Sequence, residues 1–184
     1  MEAYYKTVDN RIDYIDGSDL IGQNTIETEI LNGESRSYGL EILFKKALGD
    51  FTGWIAYTAS KAEQRTLGGN AGGPGINNGN WYNSNQDRTH DLSIVGSYKL
   101  TNKWSFGAAF VFQTGRPVTY PNGQYFYEGL SIANYSERNA DRLPSYNRLD
   151  ISATYVPNRK PENRWKGEWV FGIYNVYNRK NAAS

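Results

Sequence analysis

The sequence predicts an all-β protein: an antiparallel, up-and-down sheet that forms part of the wall of a transmembrane β-barrel. Three observations support this fold class. Apolar and polar residues alternate with a period of two, short and long connections alternate along the chain, and the strands are long enough to cross a bilayer.

The alternation is clearest over residues 91–113. Even positions hold mostly apolar and aromatic side chains, whereas odd positions hold mostly small, polar or charged ones. Because successive side chains of a strand point to opposite faces, one face of this segment is apolar and the other is polar. The tight link Thr101-Asn102 divides it into two antiparallel strands, at 91–100 and 103–113.

Three strands are predicted before this hairpin, at residues 2–15, 37–48 and 51–60. The first alternates weakly and ends at Asp16-Gly17, and residues 17–33 are predicted as a polar connection. The second and third alternate cleanly, and Gly49-Asp50 turns the chain between them.

Two strands are predicted after the hairpin, at residues 148–155 and 165–173. The intervening segments have no period of two. Residues 61–88 contain a run of glycine and asparagine and are predicted as a long flexible loop. Residues 115–145 are predicted as a second long, irregular segment.

Connections alternate strictly in length. Short ones follow Leu48, Leu100 and Val156, whereas connections of about 15 to 30 residues follow Asp16, Ser60 and Gln113. An up-and-down sheet with this pattern has its short turns at one end and its long loops at the other, as membrane barrels do. The predicted strands also match the roughly 9 to 11 residues that cross a bilayer at a tilt, against a usual length of about 5 to 6.

Composition excludes several classes of protein. No apolar run of about 18 residues is present, which excludes transmembrane helices but not a barrel, whose strands are only half apolar. The net charge is +1 and the basic residues are scattered, so no nucleic-acid interface is predicted. The absence of cysteine excludes disulfides and thiolate sites. Because Met1-Glu2 opens no signal peptide, we expect either a cytosolic chain or a natural beginning further upstream.

Six short motifs open or close the predicted strands. They are SYGLE at 37–41, GWIAYT at 53–58, DRTHDL at 87–92, QTGRP at 113–117, RLPSYNRLD at 142–150 and YNVYNRKN at 174–181. In this order and spacing the chain resembles the C-terminal part of the barrel of TonB-dependent outer-membrane receptors, especially those of Bacteroidetes-type bacteria. The last motif is similar to that family's penultimate strand.

The resemblance implies a barrel of about 22 strands with an N-terminal plug and a TonB-box. Such a barrel imports a bulky nutrient, of the siderophore, cobalamin, oligosaccharide or peptide class, across the outer membrane of a Gram-negative bacterium. It is not an enzyme and needs no cofactor. The implied partners are outer-membrane lipid, the remaining barrel and plug, the TonB complex acting through the N-terminal part, and a surface lipoprotein.

We therefore expect residues 1–184 to be a partial barrel domain, an open curved sheet of about seven strands. The plug, the N-terminal strands and the last strand would be absent from it. Two other architectures fit the alternation. A complete eight-stranded membrane barrel, acting as an anchor or adhesin, would join the first strand to the last. A soluble, lipocalin-like ligand-binding barrel would turn the aromatic face inward.

No catalytic or metal centre is predicted. His90 is the only histidine, and it lacks both a nucleophile and a second metal ligand, so we expect a polar residue of a loop or of the lumen. The run 68–79 lacks the Gly-Lys-Ser/Thr of a phosphate-binding loop. Interspersed charges on the polar face predict internal ion pairs along a solvated lumen wall. These charges belong to Glu41, Lys45, Asp91, Lys99, Arg148 and Asp150.

Two further sets of side chains are predicted from their chemistry. Loop aromatics and arginines offer stacking and charge-assisted hydrogen bonds to a ligand, although aromatics near strand ends also suit the membrane boundary. The ligand candidates are Trp81, Tyr82, Arg88, Arg116, Tyr125, Tyr127, Tyr135 and Arg138. The uncharged side chains predicted to contact lipid are Leu92, Ile94, Tyr98, Phe106, Phe110, Ile151 and Phe171.

Overall fold

The computed structural model describes residues 1–15, 30–68, 73–157 and 167–182. Within these ranges the chain forms twelve strands and one short 3-10 helix, Ile76–Gly79. No helix in this part of the chain is long and apolar enough to cross a membrane. The strands are β1 (Glu2–Tyr14), β2 (Ile30–Lys46), β3 (Phe51–Thr66), β4 (Tyr82–Asn83), β5 (His90–Lys99), β6 (Trp104–Gln113), β7 (Pro117–Val118), β8 (Pro121–Tyr127), β9 (Leu130–Tyr135), β10 (Asp141–Arg142), β11 (Tyr146–Tyr155) and β12 (Trp169–Ile173).

Seven strands form one antiparallel path in the order β1, β2, β3, β5, β6, β11, β12, and β4 adds to β3 beside it. Each strand of the path pairs with the one before it, so the predicted up-and-down arrangement of seven strands is confirmed. Among the described residues, β1 and β12 each have a neighbour on one side only. The sheet is therefore open, and its two edges do not make the closure that a complete eight-stranded barrel requires.

The register places the apolar side chains of neighbouring strands side by side. Phe110 lies opposite Ile94 and Leu149, and Phe106 lies opposite Tyr98. Because cross-strand partners share a face, all seven side chains predicted to contact lipid lie on one face, here called the outer face. The opposite face is the inner face.

The outer face is not covered by any other part of the described chain. Phe106 is 43% exposed and Phe171 is 56% exposed. The buried apolar side chains among the described residues are Leu31, Ile76 and Tyr82, which lie where the long loops meet the sheet. A lipocalin-like barrel would enclose its aromatic face. In this structure the aromatic face is exposed, so the lipocalin-like alternative does not fit.

Strands β2 and β3 are longer than predicted, at the end of the sheet that carries the long loops. Opposite charges replace apolar residues there. Arg36 Nη2 lies 2.7 Å from Glu63 Oε2, and Arg65 Nη2 lies 2.6 Å from Glu34 Oε1. These cross-strand ion pairs favour the strands, but they lack the apolar alternation by which a strand is recognised in a sequence.

Residues 115–145, predicted as irregular, contain the separate hairpin β8–β9. Glu128 and Gly129 connect its strands with φ of 49° and 82°, the left-handed conformation of a tight hairpin turn. Asn-Gly and Asp-Gly are the usual signals for such a turn, so Glu-Gly left the hairpin unpredicted.

The segment 174–181, predicted as a strand, has no regular strand structure, although it continues beside β11. The Val176 N–H donates to the Leu149 carbonyl at 2.8 Å, and the Asn181 side chain bonds the Asn147 backbone. Strand β12 ends at Ile173, and Asn175 and Asn178 have φ of 53° and 50°. The Asn175 Oδ1 atom accepts a hydrogen bond from the Arg179 backbone N–H at 3.2 Å. Such local side-chain bonds compete with the pairing of a strand. Predictions at residues 16–29, 69–72 and 158–166 lie outside the described residues.

Candidate ligand-binding site

The connections after β3 and β6 pack against each other at one end of the sheet; this loop cluster comprises residues 73–89 and 114–145. The Asn77 side chain joins the two loops, because Nδ2 donates to the Arg138 carbonyl at 3.0 Å and Oδ1 accepts from the Arg138 N–H at 2.8 Å. Asn139 Nδ2 donates to the Asn83 carbonyl at 2.7 Å. The two predicted loops are therefore one hydrogen-bonded cluster.

Left-handed residues shape the first loop. Asn77 and Asn78 have φ of 48° and 56°, and Gly75 and Gly79 have φ of 74° and 73°. Glycine adopts this conformation without steric cost, and asparagine is among the few other residues that adopt it routinely. The described end of the glycine- and asparagine-rich run forms a tight turn over residues 75–80.

Asp87 fixes the cluster to the sheet. Its side chain is fully buried, and its Oδ1 atom accepts a hydrogen bond from the Ala62 N–H at 2.6 Å. Its Oδ2 atom forms an ion pair with Arg142, whose Nη1 atom also donates to the Gly115 carbonyl at 3.1 Å. Three of the six sequence motifs thus meet at one guanidinium group, a contact that the spacing of the motifs does not predict.

Gly115 allows the backbone of the two motifs to come together. A Cβ atom at this position would lie 1.7 Å from the Leu143 carbonyl oxygen. The Leu143 N–H donates to the Arg116 carbonyl at 2.9 Å, where β7 and β10 meet. Any side chain at position 115 would therefore push these segments apart.

Tyr82, predicted to contact ligand, is largely buried, with 6% of its surface exposed. Its hydroxyl donates to Asp13 Oδ2 at 3.0 Å, accepts from Gln64 Nε2 at 3.0 Å and lies 3.1 Å from Thr66 Oγ1. Burial raises the pKa of the Tyr82 phenol. The Tyr82 hydroxyl thus connects β1, β3 and the loop cluster, and contact of this residue with ligand stays a prediction.

Arg138 connects the second loop to β1. Its Nη1 atom lies 3.0 Å from Asp13 Oδ1, and its Nη2 atom donates to the Tyr14 carbonyl at 2.9 Å. The side chain is 19% exposed. The charge of this predicted ligand residue is therefore balanced within the protein.

A polar pocket of about 180 Å³, here called the loop pocket, lies between the two loops. Three of the predicted ligand residues, Trp81, Tyr82 and Arg138, line it together with Asn80 and Glu137. Asn77 and Asn139 also line it, and their hydrogen bonds hold the two walls together. The pocket offers an aromatic ring beside amide and carboxylate groups.

The indole of Trp81 is held by two arginines of the sheet. The Arg36 guanidinium carbon lies 4.2 Å from the ring centroid, and that of Arg65 lies 5.0 Å from it. Both arginines are paired with glutamates, Glu63 and Glu34. Cation–π contacts of this kind orient an aromatic side chain.

Arg88 and Arg116 lie apart from the loop pocket. They line a second pocket of about 20 Å³, which has room for about one water molecule. Arg88 Nη1 donates to Gln113 Oε1, and Gln113 Nε2 donates to Asp91 Oδ2 at 2.8 Å. The Arg116 Nε atom is buried without a hydrogen-bond partner in the described structure.

The remaining ligand candidates lie on the β8–β9 hairpin. Tyr125 is 52% exposed and Tyr127 is 61% exposed, opposite Ile132 and Leu130, so these four side chains form one apolar face of the hairpin. Tyr135 is 61% exposed and lies near the base of the hairpin. Their contact with ligand stays a prediction.

Ion pairing on the inner face is found in part. Arg148 Nη2 lies 3.0 Å from Asp150 Oδ2, as expected, whereas Asp91 accepts a hydrogen bond from Gln113 instead. Glu41, Lys45 and Lys99 form no ion pair within the described residues.

His90 lies on the outer face and not in a loop or the lumen. Its Nδ1 atom is 2.8 Å from the Tyr57 hydroxyl, and the two rings are stacked. In the described part of the chain, no group of histidine and carboxylate side chains could hold a metal ion.

A family model described as TonB dependent receptor-like, beta-barrel, matches residues 1–176 of the chain. No curated protein matches the chain, and no solved structure matches it. The matched range includes every strand of the open sheet and the whole loop cluster.

Proposed function

The chain belongs to the family of TonB-dependent receptor β-barrels, and on this premise we propose that it forms part of the wall of a transporter that imports a bulky nutrient. Members of this family are outer-membrane transporters of Gram-negative bacteria and not enzymes. The inner face would border the aqueous path, and the outer face would contact lipid.

The uncovered outer face is the observation that carries this proposal. Its apolar side chains share rows across the sheet, and its turn end carries a row of amphipathic rings. Trp104 lies opposite Tyr155, which lies opposite Trp169. Tyrosine and tryptophan at this position suit the girdle that flanks the apolar band of an outer-membrane barrel.

Toward the loop end of the outer face, charged residues replace apolar ones. Tyr5 and Tyr38 stack with ring centroids 6.2 Å apart, and the ion pair of Arg36 and Glu63 follows. A charge is costly among lipid tails but not beyond them. We therefore place the loop cluster outside the cell and the short turns in the periplasm.

The open edges of the sheet support a larger barrel. Unpaired backbone groups along a strand edge are unfavourable in lipid, so β1 and β12 would each pair with a further strand. A plug, the TonB complex acting through an N-terminal part and a surface lipoprotein are the partners proposed for the whole receptor.

The test uses the full-length receptor in its own bacterium. Loss of the receptor gene and loss of TonB should abolish growth on the same nutrient, with ferric siderophores, cobalamin, oligosaccharides and peptides supplied singly. The receptor should be recovered in the outer-membrane fraction. Recovery with the soluble proteins, or uptake that survives loss of TonB, would contradict the proposal.

A further inference from the structure

The loop pocket contains polar groups that no other part of the described chain uses. The side chains of Asn80 and Glu137 have no hydrogen-bond partner in the described structure, and neither has the indole N–H of Trp81. Together they offer amide donors and an acceptor, a carboxylate acceptor and a ring donor. Vicinal hydroxyl groups, each both donor and acceptor, match such a set.

Charge around the loop pocket is balanced. Arg36 and Lys61 lie within ion-pair distance of Glu63, Arg65 pairs with Glu34, and Arg138 pairs with Asp13. Arg36 and Lys61 share Glu63, so these four cations face three carboxylates, and Glu137 in the lining supplies the fourth negative charge. The site therefore has no excess positive charge to attract an anionic ligand such as a ferric siderophore. A neutral ligand fits this balance better.

The size of the loop pocket limits what enters it. Its volume of about 180 Å³ is below the roughly 300 to 1,000 Å³ of pockets that enclose a whole small ligand. One ring-sized group of a larger molecule therefore fits. Ala140 is the one aliphatic residue in the described lining, so the pocket lacks the apolar surface that an apolar peptide side chain needs.

We propose that the loop pocket is a subsite for one ring of a neutral oligosaccharide. The sugar face would pack on the part of the Trp81 indole that Arg36 and Arg65 leave open, and Asn80 and Glu137 would bind its hydroxyl groups. This inference rests on the proposed transport function and names the nutrient class. The flat C–H face of a sugar ring packs on an indole, while its edge presents hydroxyls to the amide and carboxylate.

The first test is a binding measurement on the purified full-length receptor. Maltohexaose, cellohexaose, xylohexaose and mannohexaose are titrated in a calorimeter, with hexaglycine, cyanocobalamin and ferric enterobactin as comparison ligands. At least one hexasaccharide should bind, and Trp81→Ala and Asn80→Ala should each weaken it about tenfold. Binding of no hexasaccharide overturns the nutrient class, as does binding of hexaglycine in its place.

A matched control separates the pocket from a general effect of losing tryptophan. Trp169 lies at the turn end of the sheet and is 62% exposed, so Trp169→Ala should leave the affinity unchanged. The Asn80 side chain has no hydrogen bond to lose within the described structure, and its backbone N–H keeps its bond to the Asn77 carbonyl in the alanine variant. Asn80→Ala therefore tests the pocket even if Trp81→Ala disturbs the loops. The subsite is overturned if Asn80→Ala, Trp81→Phe and Trp81→Ala all bind the hexasaccharide with wild-type affinity.

Glu137 distinguishes a neutral ligand from a charged one. For a sugar hydroxyl, Glu137→Gln keeps an acceptor and should lose less than threefold in affinity, whereas Glu137→Ala should lose about tenfold. Equal large losses in both variants would indicate a cationic ligand and overturn the proposal. These outcomes are independent of the transport proposal. If the receptor takes up another nutrient in a TonB-dependent way, the transport proposal stands and only the proposal of a sugar subsite fails.

Discussion

Asp87 and Arg142 are 55 positions apart in the sequence and form an ion pair in which the Asp87 side chain is completely buried. The pair joins the end of the first loop to the end of the second. Because Asp87 also accepts a hydrogen bond from β3, this carboxylate attaches both loops to the wall. The geometry of the loop cluster therefore depends on it.

Removing Arg142 should loosen the loop cluster. Arg142→Ala leaves the buried Asp87 carboxylate without its charge partner, a change that costs about 3 to 5 kcal/mol when a buried pair is broken. Hydrogen exchange of the backbone amides of 114–120 and 139–145 in the full-length receptor should become faster. The double variant Arg142→Ala, Asp87→Asn should recover part of the protection from hydrogen exchange, because no unpaired charge then remains buried. Unchanged exchange in Arg142→Ala would show that the ion pair does not hold the loops.

Gly115 should tolerate no side chain. Gly115→Ala brings a Cβ atom to within 1.7 Å of the Leu143 carbonyl oxygen, so β7 and β10 must separate. The amount of folded receptor in the outer membrane should fall. Gly123→Ala is the matched control, because a Cβ atom there would have no atom within 4 Å, and it should behave as wild type. Equal yields of the two variants would argue against the close approach.

The Tyr82 phenol should lose its proton at a higher pH than a solvent-exposed tyrosine. Its pKa is raised by burial, so the folded state holds the proton more tightly than the unfolded state. The stabilisation is present in full below pH about 10 and is lost as the pH rises through the raised pKa. The phenolate absorbance of wild type minus that of Tyr82→Phe should give one group that titrates above pH 10; titration at the ordinary value would contradict the burial. Tyr82→Phe should also cost about 1 to 3 kcal/mol, since Asp13 and Gln64 lose a partner.

The loops and the short turns should be accessible from opposite sides of the membrane. The chain contains no cysteine, which makes single labelling sites clean. Ser131→Cys, on the exposed hairpin, should react with a membrane-impermeant maleimide on intact cells, in a full-length receptor without other reactive cysteine. Asn102→Cys, in the β5–β6 turn, should react only after the outer membrane is broken. The opposite pattern would invert the orientation.

The sheet could be predicted well wherever apolar residues alternate. Strands β5 and β6 begin and end within one residue of the predicted bounds, because a period of two reports directly which face is apolar. The prediction failed at the loop end of β2 and β3. There the outer face carries Arg36 and Glu63, whose pairing across the strands is invisible in either segment alone.

The candidate site could be predicted only in part. Residue chemistry identifies the aromatic and arginine residues of the loops as candidates, and the structure brings Trp81, Tyr82 and Arg138 to one pocket, with most of the Tyr82 side chain buried. Residue type does not report burial, which depends on partners such as Asp13 that lie far away in the sequence. The one available signal for Asp87 and Arg142 was that each begins a recognised motif.

Substitution of arginine at two neighbouring positions of β6, one on each face, tests most directly whether the outer face contacts lipid. Ala108 lies opposite Gly96 and Ile151 on the outer face, whereas Ala109 lies opposite Asp150 on the inner face. In the full-length receptor, Ala108→Arg should block assembly, since an arginine at the bilayer midplane costs roughly 2 to 4 kcal/mol, and Ala109→Arg should assemble. Outer-membrane fractionation gives the result. Loss of Ala108→Arg with recovery of Ala109→Arg is predicted, and equal recovery of both variants would contradict the account.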